Sequence, residues 1–272
     1  MNEPLVEFQG VSFQYPETDA QVLDNVNLSL PQGICSLMGQ NGTGKSTFLL
    51  LASGRLLPTQ GKVILLGEDT KALDEVKKQP LASLVYQNMD FETEEHLGDL
   101  LSFVYEQGYL SPKNDVFLRE IIDIFELSLL LKRKTHILAK GEMQRAVMAF
   151  ALLFGSKSVF MDEPVFAMED YQKHRTFEYL CDHARSTGRS FYFSIHEFEL
   201  SKKYSDYLLL FPKSGHPESG LKETMFTREK IEQAYQVPLE FLHQKENLYR
   251  KMMNQGTPGS LSPEILENTR IL

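Results

Sequence analysis

Short apolar runs separated by turn-forming residues mark most of the predicted strands of this chain. Residues 5–30 alternate strand-like runs with Pro and Gly, which predicts antiparallel strands. A short strand at 61–67 is predicted to join them. Further strands are predicted at 34–38, 81–86, 158–161, 190–194 and 207–211, and the first three of these are expected to be buried. The run at 207–211 is expected to be the last strand of the sheet.

Helical patterning replaces the strand pattern over residues 88–140. Two helical segments, 96–108 and 115–131, are separated by the turn residues 111–114, so we predict an inserted helical subdomain here. Its acidic start is either a docking surface or a solvated charged face.

A second group of helical signals follows that subdomain. Residues 146–154 are apolar all round, which predicts a buried helix with Gly141 at its N-terminus. Beyond Pro212, a helix-like run over 227–236 precedes a break at Pro238. We therefore predict one domain over residues 1–212 and an accessory segment over residues 213–272.

The composition excludes several classes of protein. No run approaches the roughly 18 apolar residues of a membrane-spanning helix, and the N-terminal residues lack the layout of a signal peptide. A formal net charge of −9 repels nucleic acid, and no stripe of Lys and Arg offsets it. Cys35 and Cys181 follow no metal-ligand spacing, so reduced cytosolic thiols are expected. The chain is therefore predicted to be globular, with no nucleic-acid partner, and any membrane role must come through a partner.

One glycine-rich stretch fits the phosphate-binding pattern G-x-x-x-x-G-K-[ST] at every fixed position. It lies between the predicted strand at 34–38 and a helix that starts at Ser46, which is the context that the pattern requires. Its glycines let backbone N–H groups approach phosphate oxygens, while Lys45 reaches the β and γ phosphates and Ser46 ligates Mg²⁺. A chance glycine-rich turn would not explain the flanking strand and helix. The stretch comprises Gly39, Gln40, Asn41, Gly42, Thr43, Gly44, Lys45, Ser46 and Thr47.

Two acids end the predicted strand at 158–161. Asp162 is placed to hold Mg²⁺ beside Ser46, and Glu163 to take a proton from the water that attacks the γ phosphate, or to orient that water. Adjacent acids at a strand end are common on protein surfaces. Beside a phosphate loop they are the expected second half of the site.

Three weaker candidates lie at or just after strand ends. Tyr15 is either an aromatic ring that stacks on a purine base or a packing residue. Gln87 is either a contact to Mg²⁺ or the attacking water, or a solvated side chain. His196 is either a hydrogen-bond partner of the γ phosphate or a histidine without a catalytic role.

The order of these motifs across residues 5–211 resembles the ATP-binding cassette family, the soluble ATPase subunits of ABC transporters. The glycine-rich stretch resembles the Walker A motif of that family, and residues 158–163 resemble its Walker B motif with the catalytic glutamate. Tyr15 resembles the adenine-stacking aromatic residue, Gln87 the Q-loop glutamine and His196 the switch histidine.

This resemblance implies a fold, a chemistry and a set of roles. The fold would be α/β, a P-loop NTPase core of the RecA-like type with an antiparallel β subdomain and an inserted helical subdomain. The cofactors would be ATP and Mg²⁺, and because the key motif residues are intact, the chain resembles a hydrolysing subunit. The implied catalytic residues are Lys45, Gln87, Glu163 and His196, and the implied metal site is Ser46, Gln87 and Asp162.

Two motifs depart from the family pattern. The signature, usually Leu-Ser-Gly-Gly-Gln, is here Leu-Ala-Lys-Gly-Glu at 138–142, so a serine hydroxyl and a glycine are replaced. Ala139, Gly141 and Glu142 are still the implied contacts to the γ phosphate bound by the opposite subunit. The loop after Walker B, usually Ser-Ala-Leu-Asp, is here Phe-Ala-Met-Glu at 166–169.

In the family two cassettes pair head to tail, so the resemblance implies a second ATPase subunit as partner, in a homodimer or a heterodimer. A homodimer of this chain would have two sites with the altered signature. A heterodimer with an intact-signature partner would have one complete site, built around Glu163 of this chain. We therefore expect slow turnover of the chain alone and faster turnover with such a partner.

The function implied is an ATPase that powers a transmembrane permease, at the cytoplasmic face of the cell membrane, with residues 88–137 as the docking region. The signature and the phrase at 226–237 loosely resemble those of importers for iron-siderophore, haem, cobalamin or metal ions. Exporters of lipids or drugs, a non-transport cassette acting on ribosomes or DNA, and a nucleotide-binding regulator remain alternatives.

Overall fold

The computed structural model describes residues 4–86, 89, 93–213, 215–244 and 246. The strands in these residues are β1 (Val6–Gln14), β2 (Gln21–Leu30), β3 (Ile34–Gly39), β4 (Gln60–Leu65), β5 (Glu68–Asp69), β6 (Ala82–Val85), β7 (Ser158–Asp162), β8 (Ser190–Ser194), β9 (Tyr207–Phe211) and β10 (Glu218–Leu221). The helices are α1 (Lys45–Ala52), α2 (Glu75–Lys78), α3 (Leu97–Gln107), α4 (Asp115–Ile124), α5 (Lys140–Phe154), α6 (Asp170–Thr187), α7 (Phe198–Tyr204), α8 (Lys222–Met225) and α9 (Arg228–Tyr235).

The strands form two sheets. One is antiparallel, with the order β2-β1-β4-β5, and contains the strands predicted within 5–30 and at 61–67. The other has the order β10-β9-β3-β8-β7-β6 and is parallel except for β10. Because the carboxyl ends of β3, β7 and β8 lie at one edge of this sheet, the residues that follow these strands are brought together there.

The prediction that 207–211 is the last strand is wrong, because β10 pairs antiparallel with β9 as an added edge strand. Its four residues, Glu-Ser-Gly-Leu, are half-buried or exposed and lack the apolar pattern of a central strand. Such an edge strand is held by the backbone ladder and gives little hydrophobic signal in the sequence.

Helix α1, which follows the phosphate loop, is packed between the two sheets. Phe48 is fully buried, with its ring stacked on Phe8 of β1 at 4.4 Å and edge-on to Phe211 of β9 at 5.5 Å between centroids. Burial of one such side chain contributes roughly 1.5–3 kcal/mol. Helix α1 is therefore fixed against both sheets, and the loop before it is held at the edge of the parallel sheet.

Phe8, Phe48 and Phe211 belong to one hydrophobic core of the chain, and helices α3, α4 and α5 pack in a second one. The predicted burial of 146–154 is confirmed, since α5 is buried along most of its length and ends at Gly155 in the left-handed region, at φ +82°. The predicted helix at 115–131 is shorter: α4 ends at Ile124, because Glu126 has φ +53° and breaks the helix, and a 3-10 turn follows at 128–130.

The carboxyl end of α5 is capped by a buried guanidinium group. Arg189 donates hydrogen bonds to the carbonyl oxygens of Ala151, Leu152 and Ser156. Its Nη1 lies 3.1 Å from Nε2 of His183. Burial, and then the positive charge of Arg189, lower the pKa of His183 to about 4. His183 is therefore neutral and accepts a hydrogen bond from Arg189.

The first compact unit of the chain extends to Gln236, and the described residues beyond it, 237–244 and 246, belong to a second unit. The predicted helical run at 227–236 is confirmed as α9, with the Thr227 side chain capping its N-terminus. The division after residue 212 stays a prediction.

Both cysteines are buried, and neither forms a disulfide. Burial raises the pKa of Cys35 in β3 well above its ordinary value and that of Cys181 in α6 to about 11. None of the helices among the described residues is long and apolar enough to cross a membrane.

Candidate functional site

A pocket of about 400 Å³ opens where the loop after β3 meets the end of β7. Two acids from the end of β7 and residues of the glycine-rich stretch share its wall, although more than a hundred positions separate them in the chain. It is lined by Val22, Asn41, Gly42, Gly44, Lys45, Ser46, Thr47, Asp162 and Glu163.

The loop has a backbone that two of its glycines make possible. A Cβ on Gly39 would lie 2.4 Å from the carbonyl oxygen of Phe211, so only glycine allows this close approach of the two strands. Gly44 has φ +95°, a left-handed conformation, at the position just before α1. The loop therefore turns sharply into the N-terminus of α1, where backbone N–H groups and the helix dipole favour an anion.

Lys45 is the buried cation of the pocket. Its Nζ donates hydrogen bonds to the carbonyl oxygens of Gly39 at 2.8 Å and Gln40 at 2.7 Å, and the residue is 7% exposed. Burial lowers the pKa of Lys45 to about 8, although the carboxylates of Glu163 and Asp162 pull it upward. An anionic ligand in the pocket would favour the charged form of this amine.

Ser194, the last residue of β8, connects the two acids. Its hydroxyl donates to Oδ1 of Asp162 at 2.5 Å and accepts the backbone N–H of Glu163 at 2.9 Å. The residue is fully buried. Ser194 therefore orients both the carboxylate of Asp162 and the backbone that carries Glu163.

Glu163 and His196 are in direct contact. Nε2 of His196 lies 2.9 Å from Oε1 of Glu163, and the backbone of Glu163 has φ +48°, the left-handed region that glutamate rarely adopts. Strained backbone of this kind persists only where the surrounding structure holds it, and it is frequent at functional sites.

The loop that carries His196 is held by a partly buried ion pair. Lys173 of α6 is 3% exposed, and its Nζ lies 2.7 Å from Oε1 of Glu197. Helix α6 starts just after the loop at 163–169, so this pair connects the element that follows Glu163 with the residue that follows His196.

Tyr15 and Gln87 are the other two predicted site residues. The hydroxyl of Tyr15 lies 3.1 Å from Oγ1 of Thr47, which places its ring beside the start of α1, and its stacking on a base stays a prediction. Gln87 lies outside the described residues.

The signature residues are not among those that line the pocket, but they contact the loop after Walker B. Lys140 lies over the ring of Phe166 with Nζ 5.4 Å from its centroid, so the two departures from the family pattern meet. A Cβ on Gly141 would lie 2.6 Å from the carbonyl oxygen of Ala167. The N-terminus of α5 therefore packs closely on residues 166–167.

The side chain of Glu142 is engaged within this subunit. Its Oε2 accepts the backbone N–H of Ala139 at 2.8 Å, and Arg133 donates to both carboxylate oxygens at 2.9 and 3.0 Å. Contacts from Ala139, Gly141 and Glu142 to a nucleotide stay a prediction.

The oxygen groups of the pocket fit a magnesium ion. Ser46 and Asp162 line the same pocket, and a hydroxyl with a carboxylate is the hard-oxygen donor set that Mg²⁺ takes together with phosphate oxygens and water. The hydrogen bond from Ser194 engages one of the two carboxylate oxygens of Asp162.

Sequence reasoning missed Val22 of β2 and Ser194. A valine in an alternating strand and a serine at the end of an aromatic strand carry no motif. The position of Ser194 next to the paired acids follows only from the order of β7 and β8 in the sheet.

A comparison with protein families decides the identity of the chain. A family model described as ABC transporter matches residues 23–166, just over half of the chain. The chain belongs to the ABC transporter family. It is an ATP-binding and ATP-hydrolysing subunit of that family, and the α/β P-loop fold predicted from its motifs is confirmed.

Relatives of this ABC transporter subunit are similar over most of its length. The petrobactin import ATP-binding protein of Bacillus subtilis is 25% identical over 86% of this chain and 94% of that protein. The cobalamin import ATP-binding protein of Halobacterium salinarum is 26% identical over 79% of this chain and 55% of that protein. A putative ABC transporter ATP-binding protein of Methanosarcina mazei is 26% identical over 84% of this chain, and the match spans 51% of that protein's length.

Among solved structures, the ATP-binding subunit of an ABC transporter superposes with a TM-score of 0.74 at 20% identity, over 89% of this chain and 99% of that one. Such a likeness shows the fold. ATP-binding subunits of this family work as dimers together with a membrane permease.

Proposed function

We propose that the pocket around Lys45 is the ATP-hydrolysing site of this ABC transporter subunit. The observation that carries the proposal is that Asp162 and Glu163, at the end of β7, line the same pocket as Lys45 and Ser46. A phosphate loop with a carboxylate pair at the end of a neighbouring strand is the arrangement that phosphoryl transfer requires.

Each residue of the pocket has its own role in the proposed hydrolysis of ATP. The loop and the N-terminus of α1 hold the phosphates, and Lys45 places a positive charge on them. Ser46 and Asp162 would hold Mg²⁺, which when bound neutralises charge on the phosphates. Glu163 orients or deprotonates the attacking water, and His196 holds the carboxylate of Glu163 through their 2.9 Å contact.

Substitution Glu163→Gln tests this assignment. We expect turnover to fall by about 100-fold or more, since a positioned base contributes roughly 10²–10⁴-fold to rate. ATP affinity should be retained, because Lys45 and the loop are unchanged, and the dimer should accumulate with ATP in size-exclusion chromatography. The matched control is Glu178→Gln, an exposed glutamate of α6, which should leave turnover unchanged. Turnover by Glu163→Gln equal to that of the parent chain would remove Glu163 from the mechanism.

The proposed dimer is head to tail, with the signature at 138–142 facing the phosphate pocket of a second subunit. The partner is either a second copy or a related chain. We propose that the helical subdomain docks on the permease, which would place this subunit at the cytoplasmic face of the membrane. The accessory role of residues 213–272 is likewise proposed.

Import of a metal chelate is the transport function that we propose. It is supported by the similarity to proteins named for petrobactin and cobalamin import, and by the likeness of the fold to a structure described as a metal-chelate type ABC transporter. The test is to isolate the membrane complex that contains this chain and to measure ATP-driven uptake of iron-siderophore and cobalamin into vesicles. A permease that transports lipids or drugs outward, or a complex without a permease, would contradict the proposal.

A further inference from the structure

Tyr235, the last residue of α9, contacts the phosphate loop from a part of the chain beyond the family match. Its hydroxyl oxygen accepts the backbone N–H of Gly39 at 3.0 Å, and its carbonyl oxygen accepts the side-chain amide of Gln40. The residue is 6% exposed. The first two residues of the loop are therefore held by an element almost 200 positions away in sequence.

The same two loop residues hold Lys45. Their carbonyl oxygens accept the two hydrogen bonds from Nζ of Lys45, while their N–H and amide groups face Tyr235. A rotation of this short segment would therefore move the ammonium group that contacts phosphate.

The N–H of Gly39 depends on the Tyr235 hydroxyl as its hydrogen-bond acceptor. Gly39 ends β3, whose pairing with β8 has already stopped at Leu37. The hydrogen bond to the Tyr235 hydroxyl is buried, and a buried N–H without an acceptor is strongly unfavourable. Loss of the hydroxyl would favour a shifted loop in which this N–H finds another acceptor.

Tyr235 also contacts the helix that follows the switch histidine. Its ring lies 5.3 Å from the ring of Phe198, between centroids, and Phe198 is the first residue of α7, two positions after His196. Tyr235 does not line the pocket, so it would act on the nucleotide through Gly39 and Gln40.

We propose that Tyr235 is a positioning residue for ATP binding. Its hydroxyl sets the conformation of Gly39 and Gln40 and thereby the position of Lys45, so that α9 forms part of the ATP site. The inference rests on the proposed assignment of the pocket as the ATP site and extends it to α9.

The experiment compares Tyr235→Phe with Tyr204→Phe in the full chain. Both tyrosines are buried, and the hydroxyl of Tyr204 bonds to Nδ1 of His174 at 2.8 Å, so the two variants lose the same group in different places. The Tyr235→Phe chain keeps the ring beside Phe198 and should fold. Melting temperatures of both variants are measured first.

The readout is the affinity for a fluorescent ATP analogue, followed by anisotropy, together with the KM and kcat of ATP hydrolysis. For Tyr235→Phe we expect the Kd and KM to rise by about 5- to 150-fold, the range that one unsatisfied buried donor produces. The kcat at saturating ATP should stay near that of the parent chain, since Glu163 and His196 are untouched. Tyr204→Phe should leave the Kd unchanged, and Tyr235→Leu should weaken binding further.

Equal affinity of Tyr235→Phe and the parent chain would overturn the inference. So would an equal loss of affinity in both phenylalanine variants, because the effect would then be general destabilisation. If the parent chain fails to bind the analogue, the proposed ATP site fails first, and this inference fails with it.

Discussion

Ser194 contributes a single hydroxyl group to the pocket, but that group bonds to both acids at the end of β7. A carboxylate that holds a cation needs a fixed orientation, and a neighbouring hydroxyl supplies it. We therefore expect Ser194 to affect turnover although it belongs to no motif.

Ser194→Ala is predicted to slow turnover by about 10- to 100-fold, since a hydrogen bond to a charged group is worth roughly 1.5–3 kcal/mol. Steady-state ATP hydrolysis at saturating Mg²⁺ and ATP checks this prediction. The matched control is Ser158→Ala, at the opposite end of β7, where an equally buried hydroxyl donates to the carbonyl oxygen of Leu81. If the two alanine variants hydrolyse ATP at the same rate, Ser194 has no special role.

Residues that belong to a local motif could be predicted from sequence, and residues that meet through the fold could not. Lys45 and Ser46 lie in one nine-residue pattern, and the acids at 162–163 follow a recognisable strand. Ser194 belongs to no motif. Tyr235 lies in the phrase at 226–237, but that phrase does not place it beside the phosphate loop, because the importance of both residues comes from which strands and helices are neighbours. Sequence spacing alone does not state those neighbours.

The capped end of α5 makes the stability of this helix depend on pH. The neutral form of His183 fits beside Arg189, and the pKa of His183 is about 4 in the folded chain against 6.5 ordinarily. Between these values the unfolded chain binds more protons than the folded chain. The free energy of unfolding should therefore fall as the pH drops from about 6.5 towards 4.

His183→Gln is predicted to remove this contribution, because glutamine stays neutral while it can still accept a hydrogen bond. Urea unfolding at pH 7.5 and pH 5 should show that the parent chain loses about 2 kcal/mol more than the variant between the two values. Effects of carboxylates are common to both chains and cancel. The same pH dependence in both chains would contradict a buried neutral His183.

At the scale of elements, strongly patterned segments were predictable and weakly patterned ones were not. The buried strands β3 and β7 and the buried helix α5 are confirmed, because long apolar runs have few alternatives to burial. The predicted burial of 81–86 is wrong in part: the middle of β6 is half-buried and Tyr86 is exposed. The edge strand β10 and the break at Glu126 were missed, since a four-residue edge strand and one left-handed residue leave no hydrophobic period to read.

At the scale of the whole subunit, the altered signature bears on how two subunits work together. Lys140 and Phe166 replace small residues of the family pattern and contact each other, so both changes lie on one surface patch. We expect this patch to support turnover in the partner's site poorly. A dimer with an intact-signature chain would then be asymmetric.

Ala139→Ser/Lys140→Gly is predicted to raise turnover of the chain alone by about 10- to 100-fold, the value of one hydrogen bond to the transferred phosphate. ATPase rates over a range of protein concentration check this, because dimer formation depends on concentration. The control Lys157→Ala removes a lysine charge at the amino end of β7. Equal rates for the double variant and the parent chain would show that the altered signature does not limit turnover.

The buried state of both cysteines makes the subunit convenient for distance measurements in solution. Neither thiol is accessible or easily ionised, so spin labels or fluorophores would react only at a cysteine introduced on purpose. Leu129, which is 93% exposed in the helical subdomain, is a suitable position. Labels at that position would report the opening and closing of two subunits. Cys35 would not have to be replaced, so the strand that leads to the phosphate loop would keep its native sequence.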